Sequence, residues 1–365
     1  MNNPSIPKQT SCIALDIGGA NIKVAHTGGR AFSIPFEVWK RPDELARAIA
    51  GAAGVLPHSD RAVVTMTAEL CDCYPTKAVG VGAILDAAIL GLRGREVFIW
   101  GIDGAFHSVA DVRRDPQIAA AANWLALAML AARLMPETHG ILIDIGTTTT
   151  DLIPLDSGRV AARGRNDTER LQTGELVYAG VRRTPICALA TELPVRGIPT
   201  GIAAEMFAST LDVYLVLGDI PSEPTNLSTA DGRPATADAA RDRLARMIGS
   251  DRDAFSALDA ISFAQAAEEC LIARLCQAAD RACAATIGRP NAAVICGSGS
   301  FLARRLADRL IALGGPVINL TDAWSEVAAA AGCAFALLTL AAEHLGRDPN
   351  SHQNLFASDA PEDHT

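Results

Sequence analysis

The chain has 365 residues, 49% of them hydrophobic and 20% charged. That length sets an expectation of two domains, and that apolar content excludes disorder throughout. The formal net charge of −9 argues against a nucleic-acid binder and against a protein held on anionic lipid.

Residues 1–11 are polar, and the apolar run after them is short and carries Asp16, so no signal peptide is read there. The apolar stretches 118–132 and 327–342 fall short of the roughly 18 residues of a membrane span. The nine cysteines are odd in number and scattered, which predicts reduced thiols and a cytoplasmic protein.

In chain order, residues 11–26 read as a hairpin and 31–38 as a third strand. Residues 42–53 read as a helix with Leu45, Ile49 and Ala53 on one face. Arg61–Met66 is a strand leading into TAELCDCYPTK, 67–77, a loop or helix start. Residues 97–102 form a strand ending in Asp103-Gly104, and 115–135 a long helix broken by Pro136. Residues 141–154, ILIDIGTTTTDLIP, read as a buried strand, a tight turn and a strand returning beside the first. Residues 159–168 continue the sheet, 176–183 are short and end in a basic pair, and 211–216 read as a buried strand. Residues 218–236 form a long loop, a length uncommon unless the segment is functional or mobile. Helices follow over 238–248 and 255–287. A strand over 292–296 enters the turn Gly297-Ser298-Gly299-Ser300, and helices cover 301–313 and 324–345. This predicts a first lobe over 11–136 with the C-terminal helix 324–345, a second lobe over 137–323 with a mobile loop 218–236, and a disordered tail over 346–365.

The 141–154 stretch has a second copy. Residues 14–25 read ALDIGGANIKVA, and Asp16, Ile17 and Gly18 align with Asp144, Ile145 and Gly146, while Lys23 falls where Asp151 falls. Glycine at such a turn permits backbone geometry that other residues resist and lets a ligand approach the main chain. Exposed amides and hydroxyls can cradle phosphate oxygens, and a carboxylate at the strand end can hold a metal ion or accept a proton. A strand, a Gly-rich turn and a helix N-terminus at 297–300 make a third anion site. The two copies predict two similar halves whose turns face each other across a cleft. Cys71-x-Cys73, with Glu69, Asp72 and Lys77 beside it, lacks a second Cys/His pair at zinc spacing; it reads as a loop lining that cleft. Trp124 reads as core packing, and the histidines form no pattern.

The order of these motifs resembles the actin-like ATPase, sugar kinase and Hsp70 superfamily. Residues 14–25 look like its first phosphate motif, 141–154 like the second, and VICGSGSF, 294–301, like its adenosine motif. The resemblance implies a two-lobed α/β fold of ribonuclease H-like sheets flanked by helices. DIGGANIK (16–23), TMTAELCD (65–72), WGIDG (100–104), NWLALA (123–128), DIGTTTTDLIP (144–154) and DTERLQTGELVYAGVRRTP (167–185) narrow it. They resemble a branch near the hydantoinase/oxoprolinase proteins, described as tetrahydromethanopterin-linked C1-transfer pathway proteins, which includes a methanofuran-biosynthesis synthase. That resemblance implies condensation of an aminomethylfuran-methyl diphosphate with the phenol oxygen of a glutamyl-tyramine or tyrosine acceptor, with release of diphosphate. It implies diphosphate binding by Gly18, Gly19, Asn21, Lys23, Gly146, Thr147, Thr148, Thr149, Gly297, Ser298 and Gly299. Mg²⁺ would then be held by Asp16, Asp144 and Asp151, with Asp144 or Glu69 as base and Lys23 and Asp16 in the catalytic set. Arg182 or Arg183 would bind the acceptor's carboxylate bidentately. Two other functions stay open at this point. One is an ATP-dependent kinase or amidohydrolase, with Asp156 or Asp167 as base; the other is a non-catalytic ATP-binding protein. The partners expected are small molecules, without nucleic acid or membrane, and a homo-oligomer is left open.

Overall fold

The computed structural model describes residues 11–311, 314–324 and 331–344. The expected tail 346–365 and part of the expected helix 324–345 lie outside the described residues. The chain divides into two compact units, Met1–Leu130 with Trp324–Thr365, and Ala131–Ala323. Among the described residues no helix is long and apolar enough to cross a membrane.

The first unit is built on a six-stranded sheet ordered β3-β2-β1-β4-β5-β6. Its strands are β1 (Cys12–Ile17), β2 (Asn21–His26), β3 (Ala31–Pro35), β4 (Arg61–Met66), β5 (Glu96–Trp100) and β6 (Phe106–Ser108). Strands β1, β2 and β3 form an antiparallel meander, whereas β1, β4 and β5 run parallel. Every residue of β1 is buried, as expected for a strand covered on both faces, and it reads as a near-continuous apolar run. The helices Leu45–Gly54 and Lys77–Gly91 pack closely, because a Cβ at Gly91 would come within 2.7 Å of Ala46 O and Ile49 Cγ2. Thr76 caps the second of these by accepting from Val79 N at 3.2 Å.

The helix expected over 115–135 is split. Pro116–Ala119 is a 3₁₀ turn, and the α-helix runs over Asn123–Ala132. Between them Ala121 has φ +50°, a left-handed conformation that ends a right-handed helix. The break lets Ala122 O accept from Trp100 Nε1 at 3.2 Å. The third strand stops at Pro35 rather than 38, because Phe36 N and Val38 N donate to Ala20 O and Gly19 O, at 3.0 and 2.9 Å.

The second unit repeats the plan. Its main sheet runs β10-β8-β7-β13-β14, with β9 on β8. The strands are β7 (His139–Ile145), β8 (Thr150–Asp156), β9 (Arg159–Val160), β10 (Leu176–Val177), β13 (Ala292–Cys296) and β14 (Val317–Asn319). A separate hairpin pairs β11 (Glu192–Val195) with β12 (Ile198–Gly201). Again an antiparallel set, β7-β8-β10, is extended by parallel strands, β13 and β14. The helices Thr210–Leu217, Ala237–Arg246, Ala257–Ala284 and Ser300–Leu310 share one buried core with the sheet.

Two expectations fail here. Residues 211–216 were expected as a strand but lie in the helix Thr210–Leu217. Ser209 and Asp212 form a reciprocal capping box, and Gly218 ends the helix at φ +82°; these local signals outweigh the β-branched composition. Residues 159–168 do not continue the sheet beyond Val160, since Asn166 caps a helix at Asp167–Thr173. The 218–236 loop, expected to be mobile, carries hydrogen bonds and ion pairs of its own. Glu223 N donates to Ala235 O at 2.8 Å. Arg243, with no exposed surface, bonds Asp212 at 2.7 Å and Asp231 at 3.0 Å.

Candidate active site

The two repeated turns close in the same way. Gly18 N donates to Asn21 O at 3.0 Å, and Gly146 N donates to Thr149 O at 2.8 Å. The register matches too: Asp16 pairs with Lys23 across β1-β2, and Asp144 pairs with Asp151 across β7-β8. The glycine amides are therefore spent on the turns themselves. The amides of Gly19 and Ala20, and of Thr147 and Thr148, donate to no protein acceptor among the described residues. Each turn thus offers two successive N–H groups on half-buried backbone, the arrangement that forms an anion-binding nest.

In the first unit, Asp16 is 3% exposed and lies 3.8 Å from Lys23 Nζ. Burial raises its carboxyl above the ordinary carboxylate range, and Lys23 partly offsets this. Asn123 and Cys333 approach from the covering helices and act in the same direction as Lys23, yet Asp16 Oδ1 is buried without a hydrogen-bond partner among the described residues. Thr65, its neighbour in register on β4, likewise has an unpartnered buried hydroxyl. A buried polar atom left unpaired costs about 1–3 kcal/mol, so this row of Lys23, Asp16 and Thr65 suits a ligand that supplies the missing contact. The 67–76 segment folds over the turn: Thr67 N donates to Ile17 O at 3.0 Å, and a Cβ at Gly19 would lie 3.1 Å from Cys71 Sγ.

Glu69, expected as an alternative base, lies in the segment that follows Thr67. It is 1% exposed, and its backbone lies against Gly80, where any Cβ would meet the Glu69 carbonyl. That packing sets the Glu69 backbone against the start of the helix Lys77–Gly91.

In the second unit, three segments meet at the turn. Val181 N donates to Gly146 O at 3.0 Å, and Arg182 N and Arg183 N both donate to Thr147 O, at 3.1 and 3.0 Å. Gly180 is required there, because a Cβ would stand 2.5 Å from Gly146 O. Gly299 N donates to Ile145 O at 2.8 Å, so this amide is not available to a ligand, contrary to the sequence expectation. Gly297 and Gly299 act as spacers: side chains at either would strike Ile145, and one at Gly297 would also strike the Asp144 carboxylate. The amide of Ser298 is left facing no protein acceptor among the described residues.

Asp144 is half-buried beside this cluster. Asp151, expected as a metal ligand, is instead engaged by Arg170 Nη2 at 2.6 Å, with Arg170 2% exposed. The pair neutralises the charge that Asp151 would lend to a metal and relieves like-charge repulsion with Asp144 across the strands. Among the described residues no three His, Cys, Asp or Glu side chains converge as a metal cage. Arg182, expected to be an acceptor anchor, already holds Glu223 bidentately, at 2.5 and 3.1 Å, while Arg183 is exposed. Asp156 sits at the end of β8 opposite the turn, paired with His139 at 3.1 Å. At strand rise this is about 20 Å away, too far to serve as base at that turn. Sequence reasoning had missed Gly180, Arg170, Asn123 and Thr65.

A family model described as hydantoinase/oxoprolinase matches residues 60–342. The chain is 34% identical over 255 residues to the (4-{4-[2-(gamma-L-glutamylamino)ethyl]phenoxymethyl}furan-2-yl)methanamine synthase of Methanocaldococcus jannaschii, over 69% of this chain and 76% of that protein. It is 38% identical over 128 residues to the synthase of the same name from Methanococcus vannielii, over 35% of this chain and 57% of that one. Among solved structures, nucleotide-free acetone carboxylase superposes with a TM-score of 0.51 at 11% identity, over 89% of this chain and 69% of that one, a likeness of fold alone. The repeated meander-plus-parallel sheets are those of the actin-like ATPase fold. With a family model spanning most of its length and a relative sharing about a third of its residues over two thirds of both chains, the chain belongs to the hydantoinase/oxoprolinase family.

Proposed function

We propose that the protein is a transferase that joins an aminomethylfuran-methyl diphosphate to the phenol oxygen of a glutamyl-tyramine or tyrosine acceptor and releases diphosphate, in the making of a methanofuran or methylofuran cofactor. The observation that carries this reading is the chemical name of the relatives' product. A phenoxymethylfuran contains an ether between a phenol oxygen and a furan methylene carbon, so that is the bond such an enzyme forms. In the reaction the carbon–oxygen bond to diphosphate breaks, the leaving diphosphate keeps the electron pair, and the phenol loses its proton. Electron donation from the ring oxygen stabilises positive charge on the furfuryl carbon as the leaving group departs.

The residues suit these needs. The uncommitted amides of Gly19 and Ala20 in the first unit are donors for diphosphate oxygens, and those of Thr147 and Thr148 form a like nest in the second unit. Lys23 adds a cation beside the first turn. A phenol with pKa near 10 needs help to ionise, and Asp144, half-buried at the second turn, is the base assigned here. The buried, unpartnered Asp16 Oδ1 fits Mg²⁺, which takes one or two carboxylates and completes its sphere with phosphate oxygens and water. The ion, when bound, would supply positive charge to the departing diphosphate.

Two measurements test this. Calorimetric titration in the presence of Mg²⁺ is expected to show diphosphate binding and no ATP binding; ATP binding at equal or higher affinity would favour an ATP-dependent member of the fold instead. Lys23→Ala is expected to raise the KM for the furan diphosphate about ten- to a hundredfold, the worth of one hydrogen bond to a charged group, and to leave the acceptor KM in place. Equal changes in both KM values would remove Lys23 from diphosphate binding.

A further inference from the structure

The Arg182–Glu223 pair joins the second turn to the 218–236 loop. The backbone of Arg182 is fixed: its N–H donates to Thr147 O, and its carbonyl accepts from Ser209 Oγ at 2.9 Å. Its guanidinium meets both oxygens of Glu223, and Asn226 Nδ2 donates to Glu223 Oε2 at 2.6 Å. The two side chains remain 28% and 32% exposed, so water and solutes reach the pair.

The loop does not depend on this pair for its place. Asp231 is held by the buried Arg243 and by Arg233, and Arg233 also reaches Asp242 at 2.9 Å. Partly exposed ion pairs of this kind contribute little net stability. A two-pronged guanidinium against a carboxylate is nevertheless the geometry by which a ligand carboxylate would be recognised. Glu223 presents a carboxylate there, and a γ-glutamyl-tyramine acceptor, whose side-chain carboxyl is spent in the amide, carries its free carboxylate on the α-carbon.

We propose that Glu223 is a built-in competitor for the acceptor's carboxylate: Arg182 is the anchoring group, and the acceptor displaces Glu223 from it. This inference rests on the transferase reading above. One carboxylate replaces another on the same guanidinium, so Arg182 stays paired, while the displaced Glu223, already partly exposed, is left to Asn226 and water. A phenol without a carboxylate cannot make the exchange, and the pair thus discriminates by the far end of the acceptor rather than by its reacting end.

The test compares γ-glutamyltyramine with N-acetyltyramine, which keeps the phenol and the amide but lacks the carboxylate. In Glu223→Gln the ratio of kcat/KM for the first over the second is expected to rise about fivefold, the removal of a weak exposed ion pair as competitor. In Arg182→Ala the same ratio is expected to fall about tenfold. Asn226→Ala, which loosens Glu223 without removing it, should move the ratio in the same direction as Glu223→Gln and guards against a folding failure in that variant. A ratio unchanged in both Glu223→Gln and Asn226→Ala, or a parallel loss with both acceptors, overturns the proposal and leaves the pair as a loop clamp. If the wild-type protein forms no ether from either acceptor, the transferase reading fails and this inference falls with it, an outcome distinct from ether formation with an unmoved ratio.

Discussion

Asp16→Asn is expected to lower turnover by at least about a hundredfold and to raise, not lower, the melting temperature. The loss follows from removing the carboxylate proposed to hold Mg²⁺, and with it the cation that would offset charge on the departing diphosphate, where a preorganised group contributes about 10²–10³ in rate. The gain in stability follows from burial. Desolvation pushes the Asp16 carboxyl up, against the pull of Lys23, so the folded state holds that proton more tightly than the unfolded chain does. Its contribution to stability is fully present below the unfolded value and is lost as pH rises through the folded one. Above the unfolded value the wild-type protein carries the cost of desolvating that carboxyl, and asparagine, similar in shape, does not. Thermal unfolding in the presence of a chelator and steady-state kinetics with Mg²⁺ measure the two effects. A kcat within about threefold of wild type would take Asp16 out of the chemistry, and a fall in Tm would mean that pairing with Lys23 outweighs desolvation.

Gly297→Ala is expected to destabilise the second unit by about 3 kcal/mol, combining left-handed strain of about 1–2 kcal/mol with overpacking of about 1–3 kcal/mol. Gly297 has φ +88°, and a Cβ there would strike the Ile145 carbonyl and the Asp144 carboxylate. The first is strand backbone and cannot yield easily, whereas the Asp144 side chain can be pushed aside. At about 2–4 °C per kcal/mol the melting temperature of that unit should drop by about 6–12 °C, and activity should fall with it as Asp144 is displaced. Thermal unfolding with no loss in Tm would show that the turn gives way at little cost, and would contradict the tight packing of Gly297 and Gly299 on Asp144 and Ile145.

The sequence made the turns legible because they occur twice. A single Asp-Gly turn is common, but two copies with the same apolar flanks fixed both the Gly18 and Gly146 positions and the cross-strand partners Lys23 and Asp151. What stayed hidden is whatever depends on a distant segment. Nothing beside Gly180 in the chain announces that its missing Cβ leaves room for Gly146 and Thr147. Asp151 looked like a metal ligand until Arg170, from a helix further along, was found on it. Arg182 looked free for a substrate until Glu223 was found in its fork. The misread strand at 211–216 is a different kind of error. Ser209, Asp212 and Gly218 spell a capped helix locally, and the run of Leu, Val and Tyr between them obscured it.

The protein is expected to form the ether without nucleotide. Purified protein would be incubated with the aminomethylfuran-methyl diphosphate, γ-glutamyltyramine and Mg²⁺, in the absence of ATP, with the ether followed by mass spectrometry and diphosphate measured in parallel. The account predicts that the phenoxymethylfuran product and diphosphate appear in equal amounts, and that both disappear with Asp16→Asn. Product that forms only when ATP is added, with phosphate or ADP released in step, would contradict it.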